Sequence, residues 1–214
     1  MLAQVEATIP VTDFSPGLQG EADHRIANSL QIISSLVRQR AKSASIEDPK
    51  TFLLEIADRI ATVGSLHLLL ARSKTETVQL SSYLREVCDR LTDALLPTAT
   101  SVSFDCARGI ALPSRTALPL ALITAELVSN SLKYAHPTGL PTKITLSCRG
   151  REKGGLKLIY EDDGVGFPEN FDVSAASHSG MAFIGLLSKS LRANHKWHSD
   201  PLGVCFEIEL ESID

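Results

Sequence analysis

The sequence of 214 residues lacks the features of a membrane protein and of a nucleic-acid-binding protein. No apolar run reaches the ~18 residues of a membrane span, and the nearest candidate, residues 117–128, is interrupted by Pro119 and Glu126. The N-terminus lacks the basic start and the continuous apolar segment of a secretory signal. The net charge of −4 argues against a basic surface of the kind that displaces counterions from a nucleic-acid duplex. We therefore expect a cytoplasmic protein that binds neither membrane nor nucleic acid.

Cysteine is scarce, and its spacing provides no C-x-x-C pair for a metal or redox motif. The four cysteines are Cys88, Cys106, Cys148 and Cys205. Three of them alternate with apolar residues in strand-like segments, which predicts buried free thiols in a reducing compartment. His195 and His198 would face opposite sides of a strand, so they do not predict a metal site. The sequence also lacks the G-x-x-x-x-G-K-[ST] loop and the G-x-S-x-G elbow, which disfavours other nucleotide chemistry and acyl transfer.

Apolar residues make up 43% of the chain, and their spacing divides it into two parts. A non-periodic flexible arm over residues 1–18 precedes two long amphipathic helices, over residues 19–43 and 51–72. A polar link at residues 73–77 marks the end of this helical hairpin, which we assign to residues 19–76. The hairpin alone cannot cover both of its apolar stripes, so we expect it to pair with a second copy into a four-helix bundle.

The second part, residues 77–214, alternates between helical and strand-like patterns. Helices are predicted over residues 81–95, 116–135 and 181–191, and strands over residues 101–107, 142–149, 156–162, 196–199 and 204–210. This order indicates an α+β fold, in which a mixed sheet carries its helices on one face as an α/β sandwich.

The first helix places a histidine opposite its apolar stripe. Counted at about 100° per residue, the stripe consists of Ile26, Leu30, Ile33 and Val37. The reverse side carries His24, Asn28, Gln31 and Ser35. His24 therefore faces solvent between Asp23 and Arg25, either as an ordinary surface residue or as a reactive group.

Glu126, Asn130 and Lys133 form a polar stripe on the predicted helix of residues 116–135. Their spacing of i, i+4 and i+7 places a carboxylate, an amide and an ammonium on one helical face. Oxygen ligands of this kind suit Mg²⁺, which usually keeps waters and substrate phosphates in its coordination shell. A solvated helix face is the alternative interpretation.

The segment EDDGVGFPENFD, residues 161–172, follows directly after an apolar strand. Gly164 and Gly166 permit a turn with positive φ and a close approach of a ligand to the backbone. Asp162, at the strand end, is placed to accept a hydrogen bond from an exocyclic amine. A calcium loop would need further oxygens and a distal glutamate that are missing here, whereas a plain β-turn remains an alternative.

Together, residues 21–36, 126–137 and 161–168 resemble the phosphoacceptor box, the N box and the first glycine box of bacterial two-component sensor histidine kinases. The likeness is nearest to the HWE-like class, whose phosphoacceptor motif is roughly H-R-x-x-N-x-L-Q. This chain matches that motif with His24, Arg25, Asn28, Leu30 and Gln31. The likeness spans residues 19–211 and implies a dimerisation and phosphoacceptor hairpin followed by a GHKL-type ATP-binding domain.

The resemblance implies a role for each matched residue. His24 would be phosphorylated, with Asp23 and Arg25 as catalytic neighbours, Asp23 orienting the imidazole or accepting its proton. ATP and Mg²⁺ would be the cofactors. Asn130 and Glu126 would hold the metal, and the remaining nucleotide-binding residues would be Lys133, Asp162, Gly164, Gly166 and Gly180. The implied function is autophosphorylation of His24 from Mg-ATP, followed by transfer to an aspartate of a response-regulator receiver domain.

Two departures from the family pattern leave alternatives open. The second glycine box keeps only Gly180, with Ala182 where another residue type is common, and only a short arm precedes the hairpin. We therefore expect no sensor domain in this chain and a signal that arrives from a separate protein. The main alternative is a dimeric histidine phosphotransfer protein that relays phosphoryl groups between response regulators without ATP. A serine kinase acting on a partner protein is a third possibility.

Overall fold

The computed structural model describes residues 18–41, 49–71, 77–95, 100–151, 154–173 and 180–213. The helices are α1 (Leu18–Ala41), α2 (Pro49–Ala71), α3 (Leu80–Leu95), α4 (Ser114–Tyr134) and α5 (Gly180–Ser190). The strands are β1 (Thr77–Gln79), β2 (Ser101–Cys106), β3 (Ala111–Pro113), β4 (Lys143–Gly150), β5 (Leu156–Asp162), β6 (Asn194–Asp200) and β7 (Gly203–Leu210). Apart from Leu18, the predicted arm lies outside these ranges. The domain division after residue 76 also stays a prediction.

Helices α1 and α2 form the predicted hairpin. Val63, Leu66 and Leu70 of α2 and Ile33 of α1 are buried, because helical spacing gathers them on one face of each helix. α2 packs against α4, and α1 packs against α5, so the hairpin lies against the helices of the second part. Leu30, which the sequence assigns to the apolar stripe, is 43% exposed in the single chain.

The main sheet has five strands in the order β2-β4-β5-β7-β6. β2 runs parallel to β4, and the other neighbours are antiparallel, so the sheet is mixed as predicted. β1 and β3 pair separately as a small two-stranded sheet that the sequence pattern did not predict. Each of these strands has three residues, which is too short to produce a recognisable alternation.

One face of the main sheet is covered by helices α3, α4 and α5. Alternate side chains point to that face and are buried, such as Leu146 of β4, Leu158 of β5 and Ile208 of β7. The opposite face is polar: the Lys157 Nζ lies 2.8 Å from a carboxylate oxygen of Glu207. The predicted sandwich, with its helices on one face of a mixed sheet, is therefore confirmed.

Among the helices in the described ranges, none has the length and the apolar character that a bilayer crossing requires. The four cysteines are free thiols, and Cys88 and Cys148 are buried as predicted. Cys106 and Cys205 are half-buried.

Candidate functional site

A pocket of about 910 Å³ lies between α2, α4, the segment that follows β5, and the start of α5. Six of the predicted site residues line it: Glu126, Asn130, Lys133, Asp162, Gly166 and Gly180. They come from three separate segments, so the fold brings together the sequence motifs that suggested a common site. Gly164 does not line the pocket, but its backbone N–H donates a hydrogen bond to the Asp162 carboxylate.

Asp162 is held at one end of the pocket by a set of hydrogen bonds. Its Oδ2 accepts a hydrogen bond of 2.5 Å from the Ser131 hydroxyl, which in turn accepts one of 2.8 Å from the Tyr160 hydroxyl. Its Oδ1 accepts hydrogen bonds from the backbone N–H groups of Gly164 and Val204, at 3.1 and 3.2 Å. Burial raises the pKa of Tyr160 well above its usual value, so its hydroxyl remains a donor. The carboxylate is thus fixed in orientation before any ligand arrives.

Ser131 and Tyr160 were missed by the sequence analysis. Tyr160 precedes Asp162 by two residues on β5, and the period of a strand places both side chains on the same face. That signal was present in the sequence. Ser131 carried no comparable signal, because its role depends on a contact across 31 positions of the chain.

Gly166 allows the loop after β5 to pass close to the end of β6. It has a φ of 73°, in the left-handed region, and a Cβ at this position would lie 2.1 Å from the Asp200 carbonyl oxygen. Any other residue would therefore be both strained and obstructed.

Aromatic side chains, which the sequence motifs did not indicate, form one wall of the pocket. Phe167, Phe171 and Trp197 line the cavity. The Phe167 ring centroid lies 5.1 Å from that of Phe171 and 5.7 Å from that of Trp197. Behind them, Phe206 lies 4.7 Å from Trp197. An aromatic, apolar wall beside an oriented carboxylate suits a planar base that carries an amine.

At the other end of the pocket, Glu126 pairs with Arg59 of α2. The Arg59 Nη2 lies 3.0 Å from Glu126 Oε1, and its Nε lies 3.5 Å from Oε2. The guanidinium also lies 5.4 Å from the centroid of the Phe183 ring. Arg59 was missed, although its spacing from Ile56 and Val63 places it on the buried stripe of α2, where a charge is unusual.

The start of α5 lies directly against Glu126. A Cβ at Gly180 would lie 1.9 Å from Glu126 Oε1, so any other residue would force the Glu126 side chain to move. The N-terminus of a helix presents backbone N–H groups and a partial positive charge, which favour an anion.

Asn130 and Lys133 lie on the same face of α4 as Glu126, and both line the pocket. Asn130 is half-buried, and no described residue hydrogen-bonds to its side chain, so its amide is available to a ligand. Within the described ranges, no group of three or more His, Cys, Asp or Glu side chains is arranged to hold a metal ion. A single amide oxygen still fits Mg²⁺, which takes most of its ligands from water and phosphate.

His24 lies on α1, whose helical backbone the structure describes from Leu18 onward. The side chains of Asp23, His24 and Arg25 lie outside the described residues, and their catalytic roles remain predictions. On the same predicted face, Asn28 and Gln31 are exposed.

Residues 21–95 match the family model HisKA_2, described as histidine kinase. The chain is 27% identical over 176 residues to the sensor histidine kinase PdtaS of Mycobacterium tuberculosis, covering 78% of this chain and 33% of that protein. It is 25% identical over 195 residues to a blue-light-activated histidine kinase of Rhizobium johnstonii, covering 90% of this chain and 52% of that protein. The chain thus spans a third to a half of the length of these curated relatives.

Solved structures show the same fold. The Erythrobacter litoralis EL346 blue-light activated histidine kinase matches with a TM-score of 0.72 at 20% identity, covering 90% of this chain and 58% of that one. The histidine kinase domain of the same protein matches with a TM-score of 0.68, covering 90% of this chain and 89% of that one.

Proposed function

We propose that this chain, a member of the histidine kinase family, phosphorylates its own His24 from Mg-ATP and passes the phosphoryl group to an aspartate of a response-regulator receiver domain. One observation carries the proposal: the pocket that gathers the predicted nucleotide-binding residues has α2, half of the hairpin that bears His24, as one of its walls. Donor and acceptor of the phosphoryl group therefore belong to adjacent parts of one fold.

The pocket supplies the parts that phosphoryl transfer needs, which are mainly positioning and charge neutralisation. Asp162 would accept a hydrogen bond from the adenine amine, and the aromatic wall would contact the ring. Asn130, with Glu126, would hold Mg²⁺. That ion, when bound, neutralises charge on the phosphate oxygens. Lys133 would lie beside the phosphates.

His24 would act as the nucleophile through the lone pair of a neutral imidazole nitrogen. A nitrogen–phosphorus bond forms while the bond between the γ-phosphorus and the bridging oxygen of ADP breaks. The proton on the other imidazole nitrogen passes to Asp23, which leaves a neutral phosphohistidine ring. Transfer to the regulator then exchanges the nitrogen–phosphorus bond for a bond to a carboxylate oxygen.

The proposed assembly is a homodimer that forms through the hairpin. The phosphotransfer alternative is not favoured, because the relatives are sensor histidine kinases and a relay without ATP has no physical need for the pocket.

The proposal is tested by incubating the protein with ATP labelled on its γ-phosphate and measuring acid-labile label. His24→Ala should abolish labelling, whereas His198→Ala, on the exposed end of β6, should not. Asn130→Asp should slow labelling by about 100-fold, because small misplacements of reacting groups are costly. This variant keeps His24, so it should still accept a phosphoryl group from a phosphorylated regulator. Label that persists in His24→Ala, or an unaltered labelling rate in Asn130→Asp, would contradict the assignment.

A further inference from the structure

We infer that Arg59 of α2 binds the terminal phosphates of the nucleotide, so that the phosphoacceptor hairpin contributes directly to the nucleotide site. This inference rests on the proposed function and adds a phosphate-binding residue to it. The sequence motifs assigned no role to Arg59.

The first argument is the charge of the pocket. Of the described residues that line it, four are acidic: Glu55, Asp58, Glu126 and Asp162. Only two of the lining residues are positively charged, Arg59 and Lys133. A nucleoside triphosphate is strongly anionic, so it needs the available cations to enter such a site. Lys133 is exposed to solvent, whereas Arg59 is 8% exposed, and screening weakens the buried charge much less.

The second argument is the number of hydrogen-bond donors on Arg59. A guanidinium carries five N–H donors, and Glu126 engages the Nε and Nη2 groups. In the part of the chain that the structure describes, Nη1 has no hydrogen-bond partner. Arg59 can therefore retain its hydrogen bonds to Glu126 and still donate hydrogen bonds to a phosphate. The phosphate oxygens match the planar fork of the guanidinium.

The third argument is the position of Arg59 relative to the two ends of the pocket. Asp162 contacts α4 at Ser131, and Arg59 contacts α4 at Glu126. At about 1.5 Å per residue along a helix, these contacts lie roughly 7 Å apart along the axis. With the base at Asp162, the phosphates extend toward Arg59 and the N-terminus of α5 at Gly180. Both of these groups favour negative charge.

Packing alone does not account for Arg59. The side chains of Arg59 and Glu126 are 9% and 16% exposed. An ion pair in such a place adds little net stability, because desolvation of the two charges offsets most of their attraction. An apolar pair would serve the contact between α2 and α4 equally well. The pairing also neutralises a carboxylate that would otherwise repel the phosphates.

The test is calorimetric titration with adenylyl imidodiphosphate and magnesium, and separately with adenosine, which has no phosphates. Arg59→Gln should lose about tenfold or more in affinity for the triphosphate analogue, the effect of one charged hydrogen bond. Its affinity for adenosine should equal that of the wild-type protein. Arg59→Lys keeps the positive charge but lacks the planar guanidinium, so its affinity for the triphosphate analogue should lie between those of the wild-type protein and Arg59→Gln.

Arg85→Gln is the matched control. Arg85 also lies over an aromatic ring, 4.3 Å from the Phe104 centroid, but it does not line the pocket. This variant should bind both ligands as the wild-type protein does.

Unchanged binding of the triphosphate analogue by Arg59→Gln would overturn the inference, and so would an equal loss for both ligands, which indicates a change of pocket shape. If Arg59→Gln does not fold, Arg59→Lys decides by the same comparison. Wild-type protein that binds neither ligand contradicts the proposed function and the inference together. If the wild-type protein binds the triphosphate analogue and neither Arg59 variant loses affinity for it, the role of Arg59 alone is contradicted.

Discussion

At the scale of single residues, Ser131 is a junction in which one hydroxyl serves two neighbours. It accepts a hydrogen bond from Tyr160 and donates one to Asp162. Ser131→Ala leaves the buried Tyr160 hydroxyl without this partner, which should lower the free energy of unfolding by about 1–3 kcal/mol. Ser188→Ala is the control, because among the described residues the buried Ser188 hydroxyl donates a hydrogen bond only to the Ile184 carbonyl of its own helix. Urea denaturation measures the free energy of unfolding of both variants. Equal losses would show that the two hydrogen bonds of Ser131 have no special role.

The individual residues of the pocket show which parts of the site the sequence could predict. Asp162 and Asn130 were predicted because their types stand at fixed positions within local motifs. Arg59 and Ser131 were not, because each acts through a contact with a distant segment. The Arg59–Glu126 contact spans 67 positions, and no local spacing encodes it.

At the scale of elements, helix α5 contains two glycines in opposite environments. A Cβ at Gly180 would meet the Glu126 carboxylate, whereas a Cβ at Gly185 would meet nothing within 4 Å. Gly180→Ala should turn Glu126 away from Arg59, destabilise the protein by about 1–3 kcal/mol and weaken nucleotide binding. Gly185→Ala should stabilise it by up to about 1 kcal/mol, since alanine favours a helix. Thermal unfolding measures both, and a neutral Gly180→Ala would refute the close packing.

The long elements of the fold were predictable, and the short ones were not. α1, α2 and α4 exceed 20 residues, so their apolar periodicity repeats often enough to be recognised. The pairing of β1 with β3 depends on the chain folding back over α3. The pattern within three-residue segments contains no information about that partner.

At the scale of the whole molecule, the hairpin leaves large apolar side chains uncovered. On α2 these are Leu53, Leu54, Ile60 and Leu68, which are 47–66% exposed in the single chain. Leu53, Ile60 and Leu68 recur about every two helical turns and so share one side, as a bundle interface requires.

Light scattering at micromolar concentration should therefore show a dimer for the wild-type protein. The double variant Leu53→Asp, Leu68→Asp should be monomeric, because it places charges in the apolar interface. Leu202→Asp should remain dimeric, since Leu202 is equally apolar and 81% exposed but lies in the turn between β6 and β7. A monomeric wild-type protein, or a double variant that still dimerises, would exclude this interface.

The aromatic wall of the pocket has a spectroscopic consequence. Trp197 is the only tryptophan of the chain, and it lines the cavity beside Phe167. Its fluorescence therefore comes from a single place in the molecule, with no background from other indoles. A base stacked against this wall would alter the emission intensity directly. The unmodified protein thus contains its own optical reporter of pocket occupancy, which requires neither an attached dye nor catalytic turnover.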